Sequence, residues 1–153
     1  MPVEYSISPS LNIAYGHWSG DVNLNEFRDM FAAYLNDENY ATGHIQLCDF
    51  SQVTSLDADF NSIWSVLSMM NASNAPVILK PQCVIYAPSD VVFGYARMYQ
   101  SLAEYEDGIQ VTVCREENEA LAALDLCAVT MDDLRRKGGF LVSAPKRPRV
   151  LHA

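Results

Sequence analysis

Apolar and polar positions alternate with two different periods along the chain, and the periods change place several times. Val3 to Ser8 and Asn12 to Trp18 are β-rich runs joined around Pro9-Ser10, the pattern of a hairpin. Gly16 inside the second run is expected to mark a bulge, and Ser19-Gly20-Asp21 to break the strand. Helical spacing then takes over. Leu24, Phe27, Phe31, Tyr34 and Leu35 share one stripe behind Asn23, an N-cap with Glu26 three residues on, close to a capping box. This helix is predicted to stop near 36–39. Period two returns at His44 to Phe50, where Ile45 and Leu47 point one way and Gln46 and Cys48 the other. Asp57 or Asp59 is expected to cap a second helix to about Asn71, with Phe60, Ile63, Trp64 and Leu67 buried and residues 73–76 ending it.

Cys83 to Ala87 is apolar on both sides, as a central strand is. Ser89 caps a long helix to Glu104 or Tyr105, its stripe made by Val92, Tyr95, Ala96, Tyr99 and Leu102. Ile109 to Cys114 alternates again, and Glu116 to Leu126 is a last helix with acidic residues in its first turn. The order β-β-α-β-α-β-α-β-α predicts an α/β fold with a mixed, mostly parallel sheet and an N-terminal antiparallel hairpin. Two strands carry polar residues at alternate positions, so helices are expected mainly on one face, with part of the other uncovered. Beyond Leu126, Thr130 is placed to cap one short turn, MDDLRRK, closed by Gly138-Gly139, and an extended tail follows. The chain thus divides into a domain, 1–128, and a C-terminal extension with a basic tail, 129–153.

Charge sharpens that division. Residues 1–133 hold all 19 acidic groups and 4 basic ones, whereas residues 134–153 hold six basic groups and no acidic one, for a net −9. The acidic body repels nucleic acid and anionic membrane, and only the tail offers attraction, unless it folds back on the body. No apolar run is long enough to span a membrane, and the N-terminus lacks the basic start and apolar stretch of a signal peptide, so a cytoplasmic location is expected. Cys48, Cys83, Cys114 and Cys127 show no CxxC spacing and are read as reduced thiols acting as small hydrophobes.

Reactive chemistry finds little purchase. His17, His44 and His152 form no metal-spaced cluster, no GxSxG turn is present, and no glycine loop could cradle a phosphate. The chain is read as non-enzymatic, with no catalytic residues, metal or cofactor. The N-terminus of the helix after Ser89, at the carboxyl end of a central strand, is the best remaining place for a ligand or partner contact. Ser89, Phe93 and Arg97 are its candidates, although Asp90 already uses part of that field. Phe93 and Met98 lie off the main stripe, as secondary core or as a sticky patch suited to a homodimer.

The stretch VIYAPSDVVFGYARMYQSLAEYEDGIQVTVCREENEALAAL resembles the C-terminal half of the SpoIIAA-like, STAS-related domains. The likeness is carried by Ala87, Pro88, Gly94, Ala96, Arg97, Met98, Arg115, Glu116, Glu117, Ala120 and Leu121. Residues 17–22 (HWSGDV) and 48–53 (CDFSQV) fit the N-terminal part, so it covers about residues 3 to 126. The resemblance implies a regulatory or protein-interaction module, its protein partner unknown. STAS domains carry a phosphorylated serine in a loop whose counterpart here is Asp57-Ala58-Asp59, where both serine positions are replaced. The phospho-serine switch is therefore expected to be absent; otherwise Ser51, Ser55 or Ser62 would carry the label. The resemblance also supports an alternative, a carrier or sensor that binds a small apolar, lipid-like ligand between sheet and helices.

Overall fold

Residues 3–41, 43–73, 82–106, 108–126 and 130–142 are described by a computed structural model of the chain. Two strands, β1 (Val3–Ser8) and β2 (Ile13–Asn23), lead into α1 (Leu24–Leu35). Then β3 (Ile45–Asp57), α2 (Phe60–Ser73), β4 (Gln82–Tyr86), α3 (Asp90–Glu106), β5 (Gln110–Cys114) and α4 (Glu117–Ala123) alternate. A short α5 (Met131–Lys137) and a two-residue β6 (Leu141–Val142) close the described chain. The sheet order is β5-β4-β3-β2-β1-β6. β2 to β5 run parallel, and β1 is antiparallel to both β2 and β6. The expected α/β class and mixed sheet are the observed ones.

Three long helices, α1 to α3, cover one face. Trp18, Phe27, Phe31, Cys48, Leu67, Cys83, Ile85 and Val92 are buried between them and the strands. The α1 cap forms as expected: Asn23 Oδ1 accepts the Glu26 N–H at 3.0 Å, and Glu26 Oε2 accepts the Asn23 N–H at 3.4 Å. On the other face Ile13, Tyr15, Leu47, Val84 and Cys114 pack against the two seven-residue helices, α4 and α5. The β5 side chains Gln110 and Thr112 stay exposed there, so the covering is partial, as their polarity predicted.

Four local expectations are corrected. Residues 19–21 do not break β2, which runs on to Asn23 through register shifts between His17 and Ser19 and between Gly20 and Asp21; Gly20 takes φ +71. Gly16 is no bulge. A Cβ there would lie 2.5 Å from Trp18 Cη2, so the missing side chain seats the indole. Phe60 is 55% exposed, because the α2 stripe that faces the sheet is Ile63, Val66 and Leu67. The last helix ends at Ala123, not Leu126: Asp125 (φ 55) turns the chain while its N–H and that of Leu126 bond to Ala122 O and Leu121 O.

Part of the segment assigned to the extension is built into the fold. Thr130 Oγ1 caps α5 by accepting the Asp133 N–H at 3.0 Å, and Glu117 Oε1 takes the Met131 N–H at 2.5 Å. Met131 and Leu134 are buried, and β6 pairs with β1. The first three basic residues, Arg135, Arg136 and Lys137, pair along α5 with Asp132 and Asp133 at 2.9–3.3 Å. The rest of the tail, with Cys127 and the 74–76 helix stop, lies outside the described residues. No helix among the described residues is long and apolar enough to cross a membrane.

Candidate functional site

Because α1, α2 and α3 each follow a parallel strand directly, their first turns gather at the carboxyl end of β2, β3 and β4. The apolar residues that start each stripe, Leu24, Ile63, Val92 and Tyr95, meet Phe50 and Leu56 of β3 and leave a gap. Cys48, Cys83 and Ile85 form its floor, and Val66, Ala96 and Tyr99 its deeper wall. The result is a cavity of about 70 Å³ within a cleft of about 560 Å³ that includes open solvent. A second hollow, about 30 Å³ within about 320 Å³, lies under α1, and Phe27 and Cys48 line both.

Among the described residues lining either space, none is charged. Cys48 Sγ lies 3.8 Å from Cys83 Sγ; that weak hydrogen bond and burial push the Cys48 thiol well above its ordinary value. Burial, reinforced by the two cysteines, does the same to the Tyr99 phenol. Both groups are therefore neutral at physiological pH, and Cys48 is a small hydrophobe rather than a nucleophile. Trp18 borders the smaller hollow. It is 1% exposed, sandwiched by Phe27 and Phe50 at 5.3 and 4.7 Å between ring centroids. Its Nε1 is buried with no hydrogen-bond partner among the described residues.

The residues singled out from sequence fall elsewhere. Asp57 ends β3 opposite Asn23, and Ala58 links it to Asp59 at the start of α2. Asp59 Oδ1 accepts the Ser62 N–H at 2.7 Å and the Ser62 hydroxyl at 2.9 Å, which hold its exposed carboxyl below the usual range. Ser62 Oγ in turn accepts the Asp59 N–H at 2.9 Å, a reciprocal cap. Ser51 donates to Asp49 at 2.6 Å and Ser55 to Asp21 at 2.6 Å.

Ser89 Oγ accepts the Val92 N–H at 3.4 Å, as the cap of α3. Phe93 is half-buried, with the Arg115 guanidinium 4.8 Å over its ring. Arg115 also bonds to Asp90 and, at 3.0 Å, to Pro88 O, beside the helix start where Ser89 and Phe93 stand. Arg97 is exposed two turns on and donates to Gln100 at 2.5 Å. Ser89, Phe93 and Arg97 thus follow one another at four-residue spacing along the start of α3.

Two buried polar groups outside the cleft were not singled out from sequence. Asp49, on the second face, accepts the Tyr15 hydroxyl at 2.5 Å, and burial followed by that bond raises the Tyr15 phenol. Asp37 accepts the Tyr5 hydroxyl at 2.8 Å near the end of α1. No family model and no curated protein matches the chain.

Proposed function

We propose that this protein is a non-enzymatic domain of STAS-related type that binds a small apolar ligand between its sheet and its three long helices. The observation that carries the reading is the uncharged apolar cleft at the carboxyl end of the parallel strands, floored in part by Cys48 and Cys83, where larger residues would close it. Packing of protein interiors ordinarily leaves few voids of this kind. The Asp59 position, occupied by a reciprocal cap with Ser62, fits a domain without a phospho-serine switch.

Ala96 lies on the wall with only a methyl group to offer. Replacing it with leucine fills the space while keeping the helix. Titration with the uncharged fluorophore phenylnaphthylamine is expected to show one-to-one binding to the wild type and at least about tenfold weaker binding to Ala96→Leu, with stability within about 1.5 kcal/mol. Equal binding to both proteins would place the dye outside the cleft and remove the support for this reading.

A second reading, a protein-interaction module, rests on Phe60 and Val91, which are 55% and 61% exposed in the first turns of α2 and α3. It predicts that Phe60→Ser together with Val91→Ser shifts the sedimentation coefficient if that end joins two copies of the chain.

A further inference from the structure

Trp18 Nε1 is the buried side-chain donor without an acceptor among the described residues. A buried N–H left unpaired is costly, and native proteins seldom keep one without a reason. The smaller hollow, which the Trp18 ring lines, has little to offer in return. Of the tyrosines lining it, Tyr5 is bonded to Asp37 and Tyr34 faces His44, while the Tyr15 hydroxyl is bonded to Asp49 on the opposite face of the sheet. Gln46 is the one other polar side chain in that wall, so a water held there would find few side-chain partners.

The hollow also shares Phe27 and Cys48 with the larger apolar cleft. From this we infer that the ligand is an uncharged apolar molecule carrying a carbonyl oxygen, which accepts the hydrogen bond of the Trp18 indole while the hydrocarbon part fills the cleft. The inference rests on the ligand-binding reading and narrows it. An ionised carboxylate is excluded by the same surroundings, since no cation lines either space to offset its desolvation. A donor group gains nothing, because the indole N–H cannot accept.

Cyclohexanone and methylenecyclohexane test this, being nearly equal in shape and differing in the acceptor oxygen alone. In the wild type the ketone is expected to bind about tenfold more tightly, equivalent to about 1.4 kcal/mol. Heteronuclear NMR should show the Trp18 indole N–H moving downfield with the ketone and not with the alkene, while the Trp64 indole serves as control. In Trp18→Phe the preference should vanish, with the alkene bound as before. Should that variant fail to fold, the wild-type probe pair and its indole signals decide alone. Equal affinities with an unmoved Trp18 signal would overturn the carbonyl inference and leave the cleft reading standing. Binding of neither probe would overturn both.

Discussion

Gly16 shows how one missing side chain sets the core of the first face. The Trp18 indole lies where a Cβ at position 16 would be, held by Phe27 and Phe50 so that it has little room to retreat. Gly16→Ala gains a few tenths to about 1 kcal/mol by restricting the unfolded chain, but overpacking a fixed ring costs about 1–3 kcal/mol, and the second effect wins. Urea denaturation should show a net loss, smaller in a Trp18→Phe background because phenylalanine leaves space for the methyl group. His44 supplies a second test at this scale. It is buried with Nδ1 3.0 Å from the Tyr34 hydroxyl and 3.4 Å from the Ala41 N–H, and burial lowers its pKa. The unfolded chain therefore takes up the proton first, and stability rises with pH across this range. The denaturation midpoint should fall as the pH drops below about 6.5, the ordinary histidine value, and His44→Gln should flatten that slope. A midpoint independent of pH between about 7.5 and 5.5 would show that His44 is not held neutral by the fold.

Helix starts were the most legible elements, because a cap is a local contract between neighbours in sequence. Asn23 with Glu26, Ser89 ahead of α3, and Thr130 with Asp133 all act as their spacing predicts. Asn23→Ala should cost about 1 kcal/mol, read as a lower thermal midpoint, with Asn23→Ser recovering most of it. Features that depend on neighbours across the sheet were harder to read. Phe60 has helical spacing from Ile63 and Trp64, yet it stacks on Trp64 at 6.3 Å and stays outside, since only the tertiary packing decides where a stripe ends. The cleft was invisible for a related reason. Periodicity reports that Phe27, Ile63, Val92 and Tyr95 face inward, but not whether opposing elements fill the space between them. The one signal available was size: Cys48, Cys83 and Ala96 are small residues at inward positions of β3, β4 and α3. The Trp18 N–H gave no sign at all, since its lack of an acceptor arises only when distant strands and helices surround it.

At the scale of the whole molecule, the sheet separates two cores with different tasks. The first-face core holds the cleft, while the second is closed by α4 and by α5, the latter built from residues expected in a C-terminal extension with a basic tail. Composition misled there because Arg135, Arg136 and Lys137 sit on the outer side of α5 with acidic partners, whereas Met131 and Leu134 face Tyr15, Leu47 and Val84. If α5 is a structural cover, its buried residues should matter for stability and not for the ligand. Leu134 is 3% exposed, so Leu134→Ala should cost about 2–5 kcal/mol by urea denaturation. Leu141, at 47% exposure on β6, should tolerate serine within about 0.5 kcal/mol. Neither change should alter phenylnaphthylamine affinity measured well below the unfolding transition, because a whole sheet stands between α5 and the cleft and no lining residue is shared. A stability loss without loss of binding would establish that the two faces are energetically separate. Weakened dye binding in Leu134→Ala, under conditions where the protein remains folded, would instead show that the two cores are coupled through the strands, and the floor at Cys48 and Cys83 would be the first place to look, since Leu47 and Val84 on the opposite face are their immediate neighbours in sequence.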